Sequence, residues 1–170
     1  MKKIIAFLFV CTILFFVSCD SYTDPKDTIV FPLKVTAKLN GSDDIFTADI
    51  FEGGCDVTFD SSHPFSSIEL KLRDDGNTAT SGDFNRTVAN GTFPVQEALV
   101  KAFRSLEKTE ILGTETENGI KYTIDEMNIM VYYDKSAKLI TGIETEEGGR
   151  RFDFTVIGLE LYEGQSSSEG

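Results

Sequence analysis

A strand-like alternation of apolar and polar residues runs along most of the chain after residue 28. A period of two is expected for a β-strand with one buried face. The segments with this pattern are 29–39, 46–50, 55–59, 68–72, 120–124 and 152–161. An apolar, β-prone run at 128–133 and the segment 139–144 are also predicted strands. A further short strand is predicted at 81–84, in a stretch that is otherwise weakly patterned. Turn residues such as Gly53-Gly54 separate neighbouring strands, so the predicted sheet is mainly antiparallel.

One segment in the middle of the chain follows the period of a helix instead. Its apolar residues recur at i, i+3, i+4, i+7, i+8 and i+11, which places them on one face of a helix. They are Val95, Ala98, Leu99, Ala102, Phe103 and Leu106. Pro94 suits the first turn, and Lys108 suits the last turn because the helix dipole favours a cation there. The pattern predicts one amphipathic helix at about residues 94–108.

These elements predict a mainly β fold (α+β), with a curved, half-barrel-like antiparallel sheet of about nine strands and one helix. Nine strands at ~4.8 Å spacing and ~18 Å length present roughly 800 Å² on one face. A helix of this length covers only about 220 Å². The sheet is therefore expected to curl, to split into a sandwich, or to leave an apolar groove open. The last strand is apolar on both sides near Ile157, Leu159 and Leu161, which predicts cover on both faces there.

The N-terminus has the three parts of an export signal. Lys2 and Lys3 precede an apolar run at 4–17, which is shorter than the ~20 residues of a membrane-spanning helix. Ser18-Cys19 then resembles the lipobox of bacterial lipoproteins, which implies cleavage before Cys19 and diacylglycerol on its sulfur. An ordinary secretory signal and an uncleaved anchor are the alternatives. The predicted organisation is a signal peptide at 1–18, a lipidated cysteine and tether at 19–28, a single β-rich domain at 29–162 and a disordered tail at 163–170.

Charge and cysteine content agree with this predicted export and anchoring at a membrane. Loss of Lys2 and Lys3 with the signal takes the net charge from −12 to −14, which excludes nucleic acid as a partner and disfavours anionic lipid headgroups. Contact with the membrane is expected through lipid on Cys19, on the extracytoplasmic face of a membrane in the cell envelope. Only Cys55 would remain with a free thiol, so no intrachain disulfide is expected, and its place in an alternating strand predicts a buried apolar role.

The order of elements resembles the lipoprotein-carrier-like family of bacterial envelope proteins over about residues 29–162. The resemblance lies in the succession of signal, Cys19, tether, meandering strands, one helix at mid-chain and further strands. Local texture is also similar in Phe46-Thr-Ala-Asp49, Ile68-Glu-Leu-Lys-Leu72 and Val131-Tyr-Tyr-Asp134. The resemblance implies an open, strongly curved antiparallel sheet whose concave side takes acyl chains. It implies no catalytic residues.

The sequence offers little that points to catalysis, and no enzymatic activity, cofactor or metal site is predicted. The single histidine, His63, lies in a predicted loop, and a zinc site would then need mostly carboxylates. Acidic pairs such as Asp43-Asp44, Asp74-Asp75 and Glu146-Glu147 fall in predicted turns, where Asp and Gly are expected, and lack calcium-loop spacing.

Two functional hypotheses follow. The first is a lipoprotein that binds or carries an apolar or lipid ligand in a cavity between the sheet and the helix residues Val95, Leu99, Phe103 and Leu106. The same side chains would instead form a closed core if the sheet packs tightly on the helix. The second hypothesis is a protein-interaction module (an inhibitor, adhesin or envelope assembly subunit) that uses edge strands and carries no cargo. The protein partner is not identified by the sequence.

Overall fold

The structure, a computed structural model, describes residues 24–162. The predicted signal peptide, Cys19 and the predicted tail at 163–170 lie outside the described residues. Among residues 24–162, no helix is both long enough and apolar enough to cross a membrane.

The described chain contains a 3₁₀ helix at Pro25–Thr28, one α-helix and eleven strands. The helix α1 spans Pro94–Lys108, as the period predicted. The strands are β1 (Leu33–Leu39), β2 (Ile45–Phe51), β3 (Gly54–Phe59), β4 (Glu69–Arg73), β5 (Asn77–Ser81), β6 (Phe84–Val88), β7 (Thr114–Glu115), β8 (Ile120–Ile124), β9 (Met127–Asp134), β10 (Leu139–Glu147) and β11 (Arg150–Leu161).

All eleven strands form one antiparallel sheet, in the order β6-β5-β4-β3-β2-β1-β11-β10-β9-β8-β7. Neighbours in sequence are neighbours in the sheet, and the first and last long strands meet through the β1–β11 ladder. The edge strands β6 and β7 do not pair with each other, so the sheet is open and is not a closed barrel. A mainly β, antiparallel fold with one helix is therefore confirmed, while the number of strands differs from the prediction.

The difference in strand number arises where the alternation is weakest. The strand predicted at 81–84 is in fact the turn of a β5–β6 hairpin, with Gly82 at φ 56° and Ser81 paired with Phe84. Every residue of Phe84–Val88 is exposed or half-buried. Because neither face of β6 is buried, it has no period of two to detect. The other addition is β7, which has only two residues.

The inner face of the sheet is buried from β4 to β8. Its fully buried side chains come from eight strands and include Leu33, Phe46, Val57, Leu70, Tyr122, Ile129, Ile143 and Phe154. One fifteen-residue helix has about a quarter of the area needed to cover a flat sheet of this width. Burial of the whole inner face therefore requires the sheet to curl around the helix.

Two ion pairs of the helix support this curvature. Lys101 Nζ lies 2.7 Å from Glu147 Oε2 at the end of β10, and Arg104 Nη1 lies 2.9 Å from Asp74 Oδ1 just after β4. The strands β4 and β10 are five positions apart in the sheet, which would be ~24 Å in a flat sheet. The two acids also lie at opposite ends of the sheet along the strand direction, because each lies at or just after the end of its strand and β4 and β10 run in opposite directions. Side chains one helical turn apart nevertheless bond both of them.

A β-bulge near the end of β11 shifts its register against β1. Ala37 pairs with Val156, but the preceding Thr36 pairs with Gly158, which leaves Ile157 as an extra residue. Such an extra residue changes the side-chain alternation of the strand on either side of it.

The bulge corrects the prediction that the end of β11 is covered on both faces. Leu159 pairs with Val35 and Leu161 pairs with Leu33, and both partners are fully buried on the inner face. The extra residue therefore returns the later leucines of β11 to the inner face. The consecutive apolar residues at the end of β11 arise because the bulge changes which residues face inward. Ile157 itself remains 55% exposed.

The start of the domain also differs from the prediction, because Asp24–Thr28 is docked and is not a free tether. Asp24 is only 3% exposed. Its carboxylate accepts hydrogen bonds from the backbone N–H of Lys26 at 3.1 Å, the backbone N–H of Gly113 at 3.2 Å, and the hydroxyl of Tyr122. These bonds fix the N-terminal segment against β8 and the segment that precedes β7.

Phe103→Ala is expected to destabilise the domain by about 3–5 kcal/mol, because Phe103 is fully buried between helix and sheet. Urea unfolding followed by circular dichroism measures this change. The matched control is Phe84→Ala on the exposed hairpin, which should alter the free energy of unfolding by less than about 0.5 kcal/mol. Equal effects of the two substitutions would contradict the described core.

Asp24→Ala should lower the free energy of unfolding by about 1–3 kcal/mol, because it leaves buried donors without their acceptor. Asp27→Ala is the control, since Asp27 lies on the same 3₁₀ helix with an exposed carboxylate. If both variants unfold at the same urea concentration as the parent protein, the N-terminal segment is not docked as described.

Candidate functional site

The four helix residues predicted to line a ligand cavity lie in or beside the core. Leu99, Phe103 and Leu106 have no exposed surface, so not even a water molecule fits against these side chains. Val95 is half-buried and packs against the same core. The structure therefore has a closed core at this place, which was the alternative to an open cavity.

A cavity lies on the other side of the helix. It is a cleft of about 720 Å³ along the solvent-facing side of α1. One wall is the end of β4 and the start of β5, and the other includes the ends of β8 and β10. Its charged lining residues are Arg73, Asp74, Glu97, Lys101, Arg104, Lys108, Glu110, Asp125 and Glu147. We call this cavity the helix cleft.

Ion pairs hold the helix to both walls of the helix cleft. Lys101 bonds Glu147 on one side, and the Arg104 guanidinium makes two bonds to Asp74 on the other, at 2.9 and 3.3 Å. The Arg104 hydrogen bond and charge hold the pKa of the Asp74 carboxyl below its ordinary value. The same contact raises the pKa of Arg104. The cleft therefore presents paired charges of both signs, which suits a polar or charged ligand and not an acyl chain.

Next to the helix cleft lies the edge strand β6. It pairs only with β5, so its other side has no ladder partner among residues 24–162. Ser81 and Phe84 close a two-residue turn as a hydrogen-bonded pair. Along the β5–β6 ladder from there, non-hydrogen-bonded and hydrogen-bonded pairs alternate. The N–H and C=O groups of Asn85 and Thr87 consequently point to the free edge. Phe84 adds an apolar ring that is 58% exposed.

The edge strand and the helix cleft are contiguous. Asn90 follows β6 by two residues and lines the cleft together with Asn77. The side-chain amide of Asn77 donates to Asn90 Oδ1 at 3.0 Å, and its oxygen accepts from the backbone N–H of Arg73 at 3.2 Å. Asn77 is buried, so these bonds fix the point where the hairpin joins the wall of the cleft.

The single histidine lies in the loop between β3 and β4, as predicted. Its Nε2 is 3.0 Å from Asp44 Oδ1, and its Nδ1 accepts from the backbone N–H of Phe65 at 3.0 Å. The ring also stacks on Phe59, with centroids 4.7 Å apart. Both ring nitrogens of His63 are thus engaged within the loop. Over the described range 24–162, no cluster of three His, Cys, Asp or Glu side chains could hold a metal ion.

The thiol of Cys55 has the buried place that its strand predicted. It has no exposed surface and forms no disulfide. Burial raises the pKa of this thiol far above its ordinary value, because the thiolate would lose its solvation. The inner position and the raised pKa make Cys55 a packing residue and not a nucleophile.

Sequence reasoning missed the helix cleft and the edge hairpin, although each leaves a signal. Lys101, Arg104 and Lys108 recur at i, i+3 and i+7 on the polar face of the helix. The dipeptide Gly82-Asp83 is a common two-residue hairpin turn. Asp74 and Glu147 were assigned to turn chemistry, and the structure adds that each bonds the helix.

Comparison of the chain with known proteins gives no relative: no protein-family model matches it, and no curated protein matches it significantly.

Arg104→Gln is expected to raise the pKa of Asp74 toward its ordinary value, because the substitution removes the largest cause of its depression. In the parent protein, Asp74 favours the folded state above the unfolded-state pKa and loses this contribution as the pH falls through the folded-state pKa. Carboxyl-detected NMR titration measures both pKa values. Lys101→Gln is the control, since Lys101 pairs with Glu147; a larger shift of Asp74 in this control would contradict the described pairing.

Proposed function

We propose that the protein is a lipid-anchored lipoprotein of the cell envelope whose domain recognises an extended segment of a partner protein. The segment would add to β6 as a further antiparallel strand and place polar side chains in the helix cleft. The observation that carries this proposal is the edge strand β6, which is exposed on both faces and has a free edge, while the apolar core of the domain is closed.

The membrane address rests on the N-terminal sequence. Lys2, Lys3, the apolar run at 4–17 and Ser18-Cys19 support export and lipidation of Cys19. Two or three acyl chains hold a protein stably at a bilayer, whereas one binds only marginally. The anchored domain would then lie on the extracytoplasmic face of the membrane.

The two edge strands of the sheet differ in length and exposure, and the difference favours strand addition at β6. β7 has two residues, and its Glu115 side chain pairs with Lys135 beside it. β6 has five residues, of which four are exposed and Val88 is half-buried. An uncovered edge strand is a template for pairing, and main-chain hydrogen bonds supply the affinity in such complexes.

The helix cleft supports the specificity of this recognition. A segment paired with β6 that continues beyond Val88 reaches Asn90 at the mouth of the cleft. The walls there carry charges of both signs, so a partner with charged side chains at this point gains complementary contacts. We expect no enzymatic activity.

The apolar-ligand hypothesis remains a second prediction, resting on the resemblance to carrier lipoproteins. For an acyl chain to reach Leu99, Phe103 and Leu106, the helix would have to separate from the sheet. Native mass spectrometry of residues 20–170, produced with and without export, tests this prediction. Extra mass that organic solvent removes from the exported sample alone would favour cargo over the strand-addition proposal.

The edge-strand proposal predicts that Thr87→Pro abolishes binding of peptides selected from a random display library on residues 20–170. Proline removes an N–H that points to the free edge and leaves the β5 ladder intact, so the fold should be retained. Thr87→Ala is the matched control, because it removes the side chain and keeps the N–H. Selected peptides should bind Thr87→Ala within about threefold of the parent Kd, a difference of under 1 kcal/mol.

The same experiment can overturn the proposal. Selected peptides that bind Thr87→Pro as tightly as the parent domain would exclude main-chain pairing at β6. A circular dichroism spectrum and a melting temperature of Thr87→Pro that match the parent domain are needed beside the binding data, since they show that the hairpin change has not unfolded the protein.

A further inference from the structure

Two adjacent apolar side chains are exposed in the segment that joins α1 to β7. Leu112 is 74% exposed, which is the highest value among the exposed large apolar residues of the described chain, and Ile111 is 49% exposed. Burial of such side chains in water-free surroundings is favourable by about 1.5–3 kcal/mol each, so covering them would contribute to binding.

The position of this pair is fixed beside the N-terminal end of the domain. The backbone N–H of Gly113, one residue after Leu112, donates to Asp24 Oδ2 at 3.2 Å. Gly113 also lies tightly on β8, since a Cβ at this position would come within 2.2 Å of Ile120 Cγ2 and 2.8 Å of the Tyr122 ring. The exposed pair is therefore held next to the residue through which the chain leaves toward Cys19.

The chain between Cys19 and Asp24 is short. Five residue steps span at most about 18 Å when fully extended. A lipid on Cys19 would lie in the bilayer, so Asp24 and the neighbouring Leu112 are confined close to the bilayer surface. The predicted tether of 19–28 would have allowed about twice this distance, and the docking of Asp24–Thr28 removes it.

We propose that Leu112 inserts into the membrane leaflet that holds the lipid of Cys19. This inference rests on the lipid anchor of the proposed function and adds a second, apolar point of contact that orients the domain. The occupant of the exposed apolar surface is the boundary between headgroups and acyl chains, where leucine and other apolar side chains of peripheral proteins reside. The net charge of −14 after signal removal argues for apolar contact with zwitterionic lipid over attraction to anionic lipid.

The test uses the full lipidated chain with Leu112→Cys, labelled with an environment-sensitive fluorophore and reconstituted in phosphatidylcholine–phosphatidylethanolamine vesicles. Cys55 is buried and the sulfur of Cys19 would carry lipid, so the label attaches at residue 112. Acyl chains that carry a quencher near the headgroup should reduce its emission about twofold or more, because interfacial side chains lie ~5–10 Å deep. The matched control is Phe84→Cys on the opposite edge strand, with a similarly exposed ring, whose label should not be quenched.

A second variant separates insertion from a merely membrane-close position. With the label at Ile111→Cys, Leu112→Asp should abolish quenching, and Leu139→Asp, at another exposed leucine, should leave it unchanged. Equal quenching at residues 84 and 112, or none at 112 in vesicle-bound protein, would overturn the orientation and leave the anchor intact. A blue shift at 112 in soluble residues 20–170 that grows with protein concentration would overturn it in favour of a second copy of the chain.

Fatty-acid labelling of the same preparations distinguishes the two failures. Incorporation that Cys19→Ala abolishes supports the anchor independently of Leu112. Absence of incorporation would refute the lipoprotein address of the proposed function, and the membrane insertion of Leu112 would fail with it.

Discussion

The fold follows from one constraint: a single helix is too small to bury the apolar inner face of the sheet. One helix of fifteen residues packs on a sheet of eleven strands, and the apolar inner face is buried across eight of them. Only strong curvature reconciles these facts, because a flat sheet would expose most of its inner side chains to water. The helix cleft is a consequence of the same curvature, since it forms where two distant parts of the sheet approach the exposed side of the helix.

The same constraint explains why β6 is solvated. The helix and the curled sheet bury β4 but do not reach β6, whose residues remain largely exposed. Edge strands of this kind favour association unless they are short or protected. Closure of the core and exposure of the edge thus have one cause, and together they direct the proposed function from a buried ligand toward a protein partner.

Much of this architecture is written in local sequence patterns. The helix at 94–108 was predictable because its apolar residues repeat along one face, and eight strands were predictable because each has one buried and one solvated face. The strand β6 was not, since a strand solvated on both faces shows no alternation. The bulge at Ile157 is hidden in the sequence, because a strand that changes its buried face and a strand that is covered on both faces both show consecutive apolar residues. The cleft depends on contacts such as Arg104 with Asp74, which join residues thirty positions apart and leave no local pattern.

The docking of Asp24 would confine the proposed binding site to a small volume if Cys19 carries the proposed lipid. With a tether of at most about 18 Å and a domain radius of gyration near 14 Å, the anchored domain would stay within about 50 Å of the bilayer. One molecule in a hemisphere of that radius corresponds to several millimolar, a typical value for short linkers. A partner held within that hemisphere would then be mostly bound even at a Kd of about 0.1 mM. Under the proposed function, the edge strand could therefore remain a weak binder in solution and still be occupied by a partner that is confined next to it at the bilayer.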